Sequence, residues 1–385
     1  MSAYKLDDER AIRTGRLVED WTRSGLLTPA QRDIITPQLA VDLRRTNTYL
    51  RITLFVFGGV ILQSVLGLLA IFIGGWQDET TAAVLCLAAG GVCFWLARHL
   101  VSRYNLYRFG VEEVAALSAV GLTAVGAALL GGGDANGPVT IGLVTAAGML
   151  AALFFHFGFV YAGVLGLAAV AALPFQWGSS EAIHRLVAVI ILAVVAAIAR
   201  TGRAEHGDDY PGDALTLLEA AAWLGIYLLV NLVLTSALTP LDRSSIAFWI
   251  TYAGIWILPA VGLWLSLRGG ERPLLWVSMA AMLTTLLSNK EYLGSPRYEW
   301  DPIVFGVFLM GLAIGLRRWL AFGNGGMRHG YTASRLVASD KAKLGALALV
   351  SAAQVDVPVA QSTPAADPGI GGGGRSGGAG ASGSF

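Results

Sequence analysis

The chain has 385 residues, of which 55% are hydrophobic and only 14% are charged, and its formal net charge is +1. Soluble domains carry about 25% charged residues, so this composition excludes an ordinary soluble domain. The apolar residues are also clustered into long runs, which predicts a polytopic membrane protein with an all-α fold.

Residues 1–50 predict a small cytoplasmic helical hairpin before the first membrane span. Acidic residues at positions 7–9 begin the first helix, where the helix dipole favours negative charge, and Ser24-Gly25 ends it. The tetrapeptide Thr28-Pro29-Ala30-Gln31 has the pattern of a capping box and predicts the start of a second helix. Pro37 predicts a kink in that helix, because an interior proline removes a backbone hydrogen bond.

The segment Leu17 to Ile35, LVEDWTRSGLLTPAQRDII, precedes the membrane spans directly. It resembles the opening of a family of uncharacterised bacterial integral membrane proteins, similar to domain of unknown function 2157. The resemblance covers this N-terminal helical segment alone. It implies a chain of many spans, and it offers no functional residues to carry over, because the family has no assigned activity.

Ten apolar runs are long enough to cross a bilayer, which takes about 20 residues. The runs are 52–74, 80–98, 112–131, 138–156, 158–175, 182–199, 214–237, 246–267, 273–288 and 302–320. They predict a bundle of about ten transmembrane helices over residues 51–321. One alternative stays open, in which 138–175 is a single span with a re-entrant piece.

The basic residues predict the orientation of these spans. If the ten runs all cross the membrane, only Arg185, Arg243, Lys290 and Arg297 of the 27 Lys and Arg residues lie opposite the N-terminus. Short loops rich in Lys and Arg face the cytoplasm. We therefore expect a multi-pass protein of the bacterial inner membrane with both termini in the cytoplasm.

The part of the chain after the last span divides into two regions. Residues 322–354 predict a cytoplasmic segment containing one short helix. Residues 355–385 consist mainly of Gly, Pro, Ser and Ala, which cannot bury enough apolar surface to order a chain. We expect this tail to be disordered.

Two polar residues of the seventh run form a candidate intramembrane polar site, because such groups are costly in a bilayer. Glu219 lies about one and a half helical turns inside the run, and Asn231 lies deeper in it. In a water-filled cavity, Glu219 would serve proton- or cation-coupled transport. The structural alternative is that Glu219 reaches the headgroups or accepts a hydrogen bond from another helix, and that Asn231 joins helices.

The predicted extracytoplasmic loop 289–301 is the densest polar cluster outside the cytoplasm. Its candidate binding residues are Lys290, Glu291, Tyr292, Arg297, Tyr298 and Glu299. Binding of a ligand, a peptide or a lipid headgroup is one hypothesis for this loop. The alternative is an interfacial anchor closed by internal salt bridges, with Asp301-Pro302 starting the last helix.

Small residues four or eight positions apart predict where helices pack closely. They are Gly59 and Gly67 in the first run, Gly142 and Ala146 in the fourth, and Gly311 and Gly315 in the last. A tightly packed bundle explains them, and a homodimer seam is the alternative.

These observations favour a non-catalytic membrane protein that acts as a scaffold, a sensor or an assembly partner. The alternative is a secondary transporter or permease-like protein with a cavity near Glu219. Since the sequence contains no common catalytic or metal-binding motif, an enzyme is less expected, and no metal or cofactor is predicted. The expected partners are the lipid bilayer, a membrane or cytoplasmic protein bound by the hairpin, and a second copy of the chain, but no nucleic acid.

Overall fold

The computed structural model describes most of the chain up to residue 332. The described residues are 4, 6–23, 27–73, 78–131, 136–178, 180–206, 214–235, 245–269, 271–296, 298–322, 327–328 and 331–332. Within them the fold is all-helical, with thirteen α-helices and one pair of two-residue antiparallel strands, β1 (Met327–Arg328) and β2 (Tyr331–Thr332). Nearly all of the predicted segment 322–354, and the whole predicted tail 355–385, lie outside the described residues.

Two helices precede the first apolar helix, α1 (Leu6–Arg23) and α2 (Pro29–Ile35). The predicted capping box is present, since Thr28 Oγ1 accepts from the Gln31 amide at 3.3 Å and Gln31 Oε1 accepts from the Thr28 amide at 2.9 Å. Instead of kinking at Pro37, α2 ends and continues as a 3-10 turn, Thr36–Leu39. A proline suits the first turn of such a helix because its missing N–H would be unpaired there.

Eleven further helices follow in the described residues. They are α3 (Thr48–Ile73), α4 (Glu79–Tyr104), α5 (Val111–Leu130), α6 (Gly137–Phe157), α7 (Val160–Ala172), α8 (Glu181–His206), α9 (Ala214–Val230), α10 (Leu232–Thr235), α11 (Ile246–Gly269), α12 (Arg272–Leu293) and α13 (Asp301–Ala321). Seven of these, α3 to α6, α8, α11 and α13, are long and apolar enough to cross a membrane. The chain is therefore a helical membrane protein.

Three predicted spans fall outside this set of seven for two different reasons. The helices α7 and α9 are short, at 13 and 17 residues, although a 3-10 turn, Leu173–Gln176, extends α7 and the short α10 follows α9. With 22 residues, α12 is long enough, but it carries buried polar residues such as Ser278, Thr285 and Ser288. These polar side chains and the polar residues 289–291 lower its hydropathy, and Thr285 and Ser288 bond to groups outside α12.

The junction at residues 157–160 separates two helices, so the run 138–175 is not one continuous helix. Gly158 ends α6 in the left-handed conformation, with φ 69°, and its amide donates to Phe154 O at 2.9 Å. A glycine adopts this conformation without the steric cost of a Cβ atom. The helices α6 and α7 then pack against each other.

The predicted Gly142 of α6 packs on α5, where a Cβ atom would lie 3.3 Å from Ala128 Cβ, and α4 and α5 also pack closely at glycines that were not predicted. A Cβ atom on Gly90 would lie 2.6 Å from Thr123 Cγ2, and one on Gly126 would lie 2.9 Å from Ala83 O. In contrast, Gly311 and Gly315 have open space beside them. Among the described residues, the predicted seam on α13 is therefore not a packing surface.

The buried apolar residues form three clusters that follow chain order. The first joins α1 to α4, α5, α6 and α7, around Val101 and Phe157. The second joins α7, α8 and α9, around Leu192 and Ile226. The third joins α9, α11 and α12, around Ile255. The apolar 18-residue stretches of α3 and α13 contain no buried residue, so both helices lie at the outside of the bundle.

Candidate functional site

The predicted intramembrane carboxylate, Glu219, is paired with two cations from α8. Its side chain is 1% exposed. Arg200 Nη1 donates to Glu219 Oε1 at 3.2 Å, and Arg203 Nη1 lies 3.3 Å from Glu219 Oε2. Buried charges are tolerated where a partner compensates for the lost hydration. Glu219 therefore accepts a hydrogen bond from a neighbouring helix, as the structural alternative expects.

A second carboxylate, Glu271, completes this cluster from the start of α12. Arg203 forms an ion pair with Glu271 as well as with Glu219, and it also donates to Thr216 Oγ1 at 3.3 Å. Glu271 is the N-cap residue of α12, and its amide donates to Ser266 O at 3.0 Å. Arg203 thus ties the end of α8 to the beginnings of α9 and α12. We name Arg200, Arg203, Glu219 and Glu271 the charged cluster.

The local sequence explains how these side chains meet. Arg200 and Arg203 are three residues apart, so they lie on one face of α8. The carboxylates sit near the beginnings of two helices that pack against each other, and at Glu271, the N-cap of α12, the helix dipole also favours negative charge. Sequence reasoning used the two arginines only to predict orientation. The signal that was missed is a pair of arginines one turn apart, on the same predicted side as a buried glutamate.

The second predicted intramembrane residue, Asn231, belongs to a separate network without formal charges. It is fully buried, and its Nδ2 donates to Tyr227 Oη at 3.0 Å and to Ser288 Oγ at 3.1 Å. The Tyr227 hydroxyl pairs with Thr285 Oγ1 at 2.9 Å, and Thr285 donates to Ile255 O at 2.7 Å. This network links α9 to α12 and α11.

Tyr292 extends this network at the break between α9 and α10. It is fully buried, its hydroxyl accepts from the Leu232 amide at 2.6 Å, and it donates to Val230 O at 3.2 Å. It therefore satisfies backbone groups that the interrupted helix frees. We name Tyr227, Asn231, Thr285, Ser288 and Tyr292 the hydroxyl network. Tyr292 was predicted in the extracytoplasmic loop, but it lies on α12 inside the bundle.

The remaining loop residues contain an internally paired lysine. Lys290 Nζ lies 2.6 Å from Asp301 Oδ2 and donates to Pro296 O at 3.2 Å. It also lies over the Tyr298 ring, 4.4 Å from the centroid, and that ring stacks on Trp300. Among the predicted residues, Glu291 and Glu299 are exposed, and Arg297 lies outside the described residues. The interactions of Lys290 favour the anchor hypothesis for this loop.

The N-terminal segment is attached to the α4–α5 turn by backbone and aromatic contacts. The Arg44 amide donates to Asn105 O at 2.8 Å, and the Tyr107 amide donates to Arg44 O at 3.1 Å. The Tyr4 ring packs edge to face on Tyr107 at 4.9 Å. Burial raises the pKa of both tyrosines, so both hydroxyls are protonated at neutral pH.

The same turn also meets the beginning of α3. Gly110 has φ 109°, and a Cβ atom there would lie 2.4 Å from Arg51 O, so only glycine fits. The Arg51 guanidinium forms an ion pair with Glu113 of α5. The other acid at the start of α5, Glu112, accepts from the Phe109 amide at 2.6 Å and so joins the turn to the first residues of the helix.

A groove of about 750 Å³ lies between α1 and the segment 32–45. Its wall on α1 includes Gly15, where a Cβ atom would have no neighbour within 4 Å. Three arginines, Arg16, Arg32 and Arg45, line it together with two acids, Glu19 and Asp33, and with apolar residues, and Arg32 pairs with Asp33 at 2.7 Å. We name this cavity the hairpin groove.

None of the described residues forms a group of three or more His, Cys, Asp or Glu side chains that could hold a metal ion. Comparison with known proteins adds no further assignment, since no family model, curated protein or solved structure matches the chain. The geometry of the charged cluster, the hydroxyl network and the hairpin groove therefore carries the functional argument.

Proposed function

We propose that the chain crosses the bacterial inner membrane ten times, with both termini in the cytoplasm. With its 3-10 extension, α7 is about 27 Å long, and α9 with α10 and α12 are each about 33 Å long, close to the roughly 30 Å of a bilayer core. The side rich in arginine then faces the cytoplasm. The resemblance of Leu17–Ile35 to a bacterial membrane family supports this location.

In this proposal the protein is a non-catalytic scaffold or assembly partner, and the hairpin groove is where a protein partner binds. The observation that carries it is the contact of Tyr4 and Arg44 with the α4–α5 turn, which in the proposed orientation lies at the cytoplasmic ends of the spans. The groove combines apolar residues with three arginines and two acids, and because Arg32 and Asp33 pair with each other it keeps a net positive charge. This chemistry suits a partner segment with an apolar side chain flanked by acidic residues.

Transport through a cavity at Glu219 is the less favoured function. Glu219 is the sixth residue of α9, about 8 Å from the helix start, so it lies near one membrane face rather than at mid-membrane. Two arginines neutralise it. A carboxylate held in this way does not offer the unpaired, hydrated site that a transported cation requires.

Labelling of single cysteines tests the ten spans. In a background with Cys86→Ala and Cys93→Ala, we expect Ser180→Cys, between α7 and α8, to react with an impermeant maleimide on intact cells. We expect Ser102→Cys, near the end of α4, to react only after permeabilisation. Protection of Ser180→Cys would show that α7 does not cross the membrane.

Co-purification with groove variants tests the partner hypothesis. A Gly15→Trp side chain would enter the hairpin groove, whereas Gly15→Ala also raises the helix propensity but adds little bulk. We expect quantitative mass spectrometry after cross-linking in native membranes to find the same protein bound to the wild type and to Gly15→Ala, but not to Gly15→Trp. Equal recovery with both variants, or no recovery with the wild type, contradicts the proposal.

A further inference from the structure

A second groove of about 530 Å³ lies at the surface of the bundle, between α8 and α11 with α9 as its floor. One end is polar, and its lining there includes Arg200, Glu219 and Arg268. The rest is lined by apolar residues that extend to Val189 on α8 and Leu258 on α11. We name it the lateral groove. It is separate from the hairpin groove.

The dimensions of the lateral groove match one leaflet of a bilayer. From Arg200 to Val189 the groove follows α8 for about 16 Å, and from Arg268 to Leu258 it follows α11 for about 15 Å. Half of the roughly 30 Å hydrocarbon core is about 15 Å. A groove with charges at one end and apolar walls over this depth has the polarity and length of a lipid in a single leaflet.

The charges at the polar end favour a negative headgroup. The Arg268 side chain is exposed and, among the described residues, it has no carboxylate partner, although its guanidinium lies 5.4 Å from the Trp264 ring centroid. Arg200 is 34% exposed, so it can contact a headgroup while it pairs with Glu219. Two arginines against one glutamate leave a positive charge, and guanidinium groups bind phosphate well.

Apolar walls open to the surface distinguish this groove from a site for a soluble anion. Ala193 and Ala197 are exposed on α8, and their small side chains leave room for a groove whose floor is lined by Trp223 and Ile226. A soluble phosphate would use only the arginines, whereas an acyl chain would also cover these apolar residues. We infer that the lateral groove binds one anionic phospholipid, with its phosphate at Arg200 and Arg268 and an acyl chain along α8 and α11.

Native mass spectrometry of the full-length protein in detergent tests this inference. The protein is incubated with equal amounts of phosphatidylglycerol and phosphatidylcholine, and the retained lipid is measured. We expect the wild type to retain phosphatidylglycerol preferentially. We expect Arg268→Gln to lower that preference about fivefold, as for the loss of one basic residue near an anionic lipid surface. An exposed pair on α13, Arg317→Gln with Arg318→Gln, is the charge control and should leave the preference unchanged.

A second variant tests the apolar part of the groove. Ala193→Phe should fill the groove and lower retention of both lipids, whereas Val194→Phe, at the neighbouring exposed position, should not. Equal retention of both lipids by the wild type, or an equal loss in the α13 control, would overturn the inference. Unchanged retention in Ala193→Phe would also overturn it. Displacement of the lipid by soluble glycerol phosphate at equal concentration would show that the occupant is a soluble anion instead.

Discussion

The helices α9 and α12 are joined at both ends, by charges at one end and by uncharged polar groups at the other. In the charged cluster, Arg203 lies between the carboxylates of Glu219 and Glu271. In the hydroxyl network, Tyr227 and Asn231 of α9 meet hydroxyl groups of α12, and every bond is between neutral groups. The contrast shows two ways of burying polar side chains between the same two helices.

The two ends differ in what a single missing partner would cost. A buried ion without its counter-ion has lost its hydration and has no ion pair to compensate for that loss. A neutral group left unpaired lacks one hydrogen bond, and its free-energy cost is smaller. The charged end is also partly exposed, since the exposed fractions of the Arg200 and Arg203 side chains are 34% and 25%. Asn231 and Thr285 are fully enclosed. We therefore expect mutations at the charged end to have the larger effects.

Arg203→Ala is predicted to have the largest effect. It removes the cation that Glu219 and Glu271 share, and breaking a buried pair in this way costs roughly 3–5 kcal/mol. The free energy of unfolding, measured by titration with sodium dodecyl sulfate in mild detergent, should fall by this amount. Arg103→Ala, at an exposed arginine of α4, is the matched control and should change it by less than about 1 kcal/mol.

A triple variant can separate the effect of the unpaired carboxylates from the effect of lost packing. Adding Glu219→Gln and Glu271→Gln to Arg203→Ala removes the uncompensated carboxylates. The triple variant should then be more stable than Arg203→Ala alone, because replacing a whole ionic group with neutral residues costs little. A triple variant as unstable as the single one would show that the arginine acts through packing.

Tyr292→Phe is predicted to have a moderate effect at the other end. It leaves the Leu232 amide and Val230 O without the hydroxyl that pairs with them, which costs about 1–3 kcal/mol. The same titration measures it. Tyr252→Phe is the control, because that hydroxyl bonds to Asn289 at a partly exposed position and should cost less. A Tyr292→Phe effect larger than that of Arg203→Ala would reverse the ranking of the two ends.

The membrane class and the positions of the helices could be predicted from the sequence, because the bilayer imposes a length and an apolar composition on each run. Each of the ten predicted runs overlaps a helix. The capping box at Thr28 was also visible, since its hydrogen bonds join residues three apart. Glu219 could also be identified from the sequence, because placing a carboxylate within a bilayer has a high free-energy cost.

The partners of these residues could not be predicted, because they come from helices distant in the chain. Nothing local in the sequence places Arg203 beside Glu271, which is 68 residues away. Tyr292 was assigned to a loop because the apolar run ends at residue 288, while α12 continues to Leu293. The polar residues that hide the end of this helix, Asn289 and Lys290, bond instead to Tyr252 of α11 and to Asp301 of α13.

Glu9 of α1 offers a third case, a carboxylate outside the membrane spans whose pairing is incomplete. It is partly buried, and its Oε1 has no hydrogen-bond partner among the described residues. Burial raises the pKa of Glu9, although Arg108 and Arg13 oppose the shift. A raised pKa means that the folded state binds the proton more tightly than the unfolded state does. The contribution of Glu9 to stability is then fully present below the unfolded pKa and is lost as the pH rises through the folded pKa.

Glu9→Gln should therefore have the smallest effect of the three substitutions, and one of opposite sign. At neutral pH the glutamine removes a carboxylate that burial disfavours, so the variant should be slightly more stable than the wild type. The difference should shrink as the pH falls towards the model-peptide pKa of glutamate, about 4.3, because the wild-type carboxyl group then takes up its proton. Unfolding titrations of both proteins at several pH values give this difference directly. A wild type that is more stable than Glu9→Gln at neutral pH would mean that Arg13 and Arg108 compensate Glu9 as effectively as Arg203 compensates Glu219.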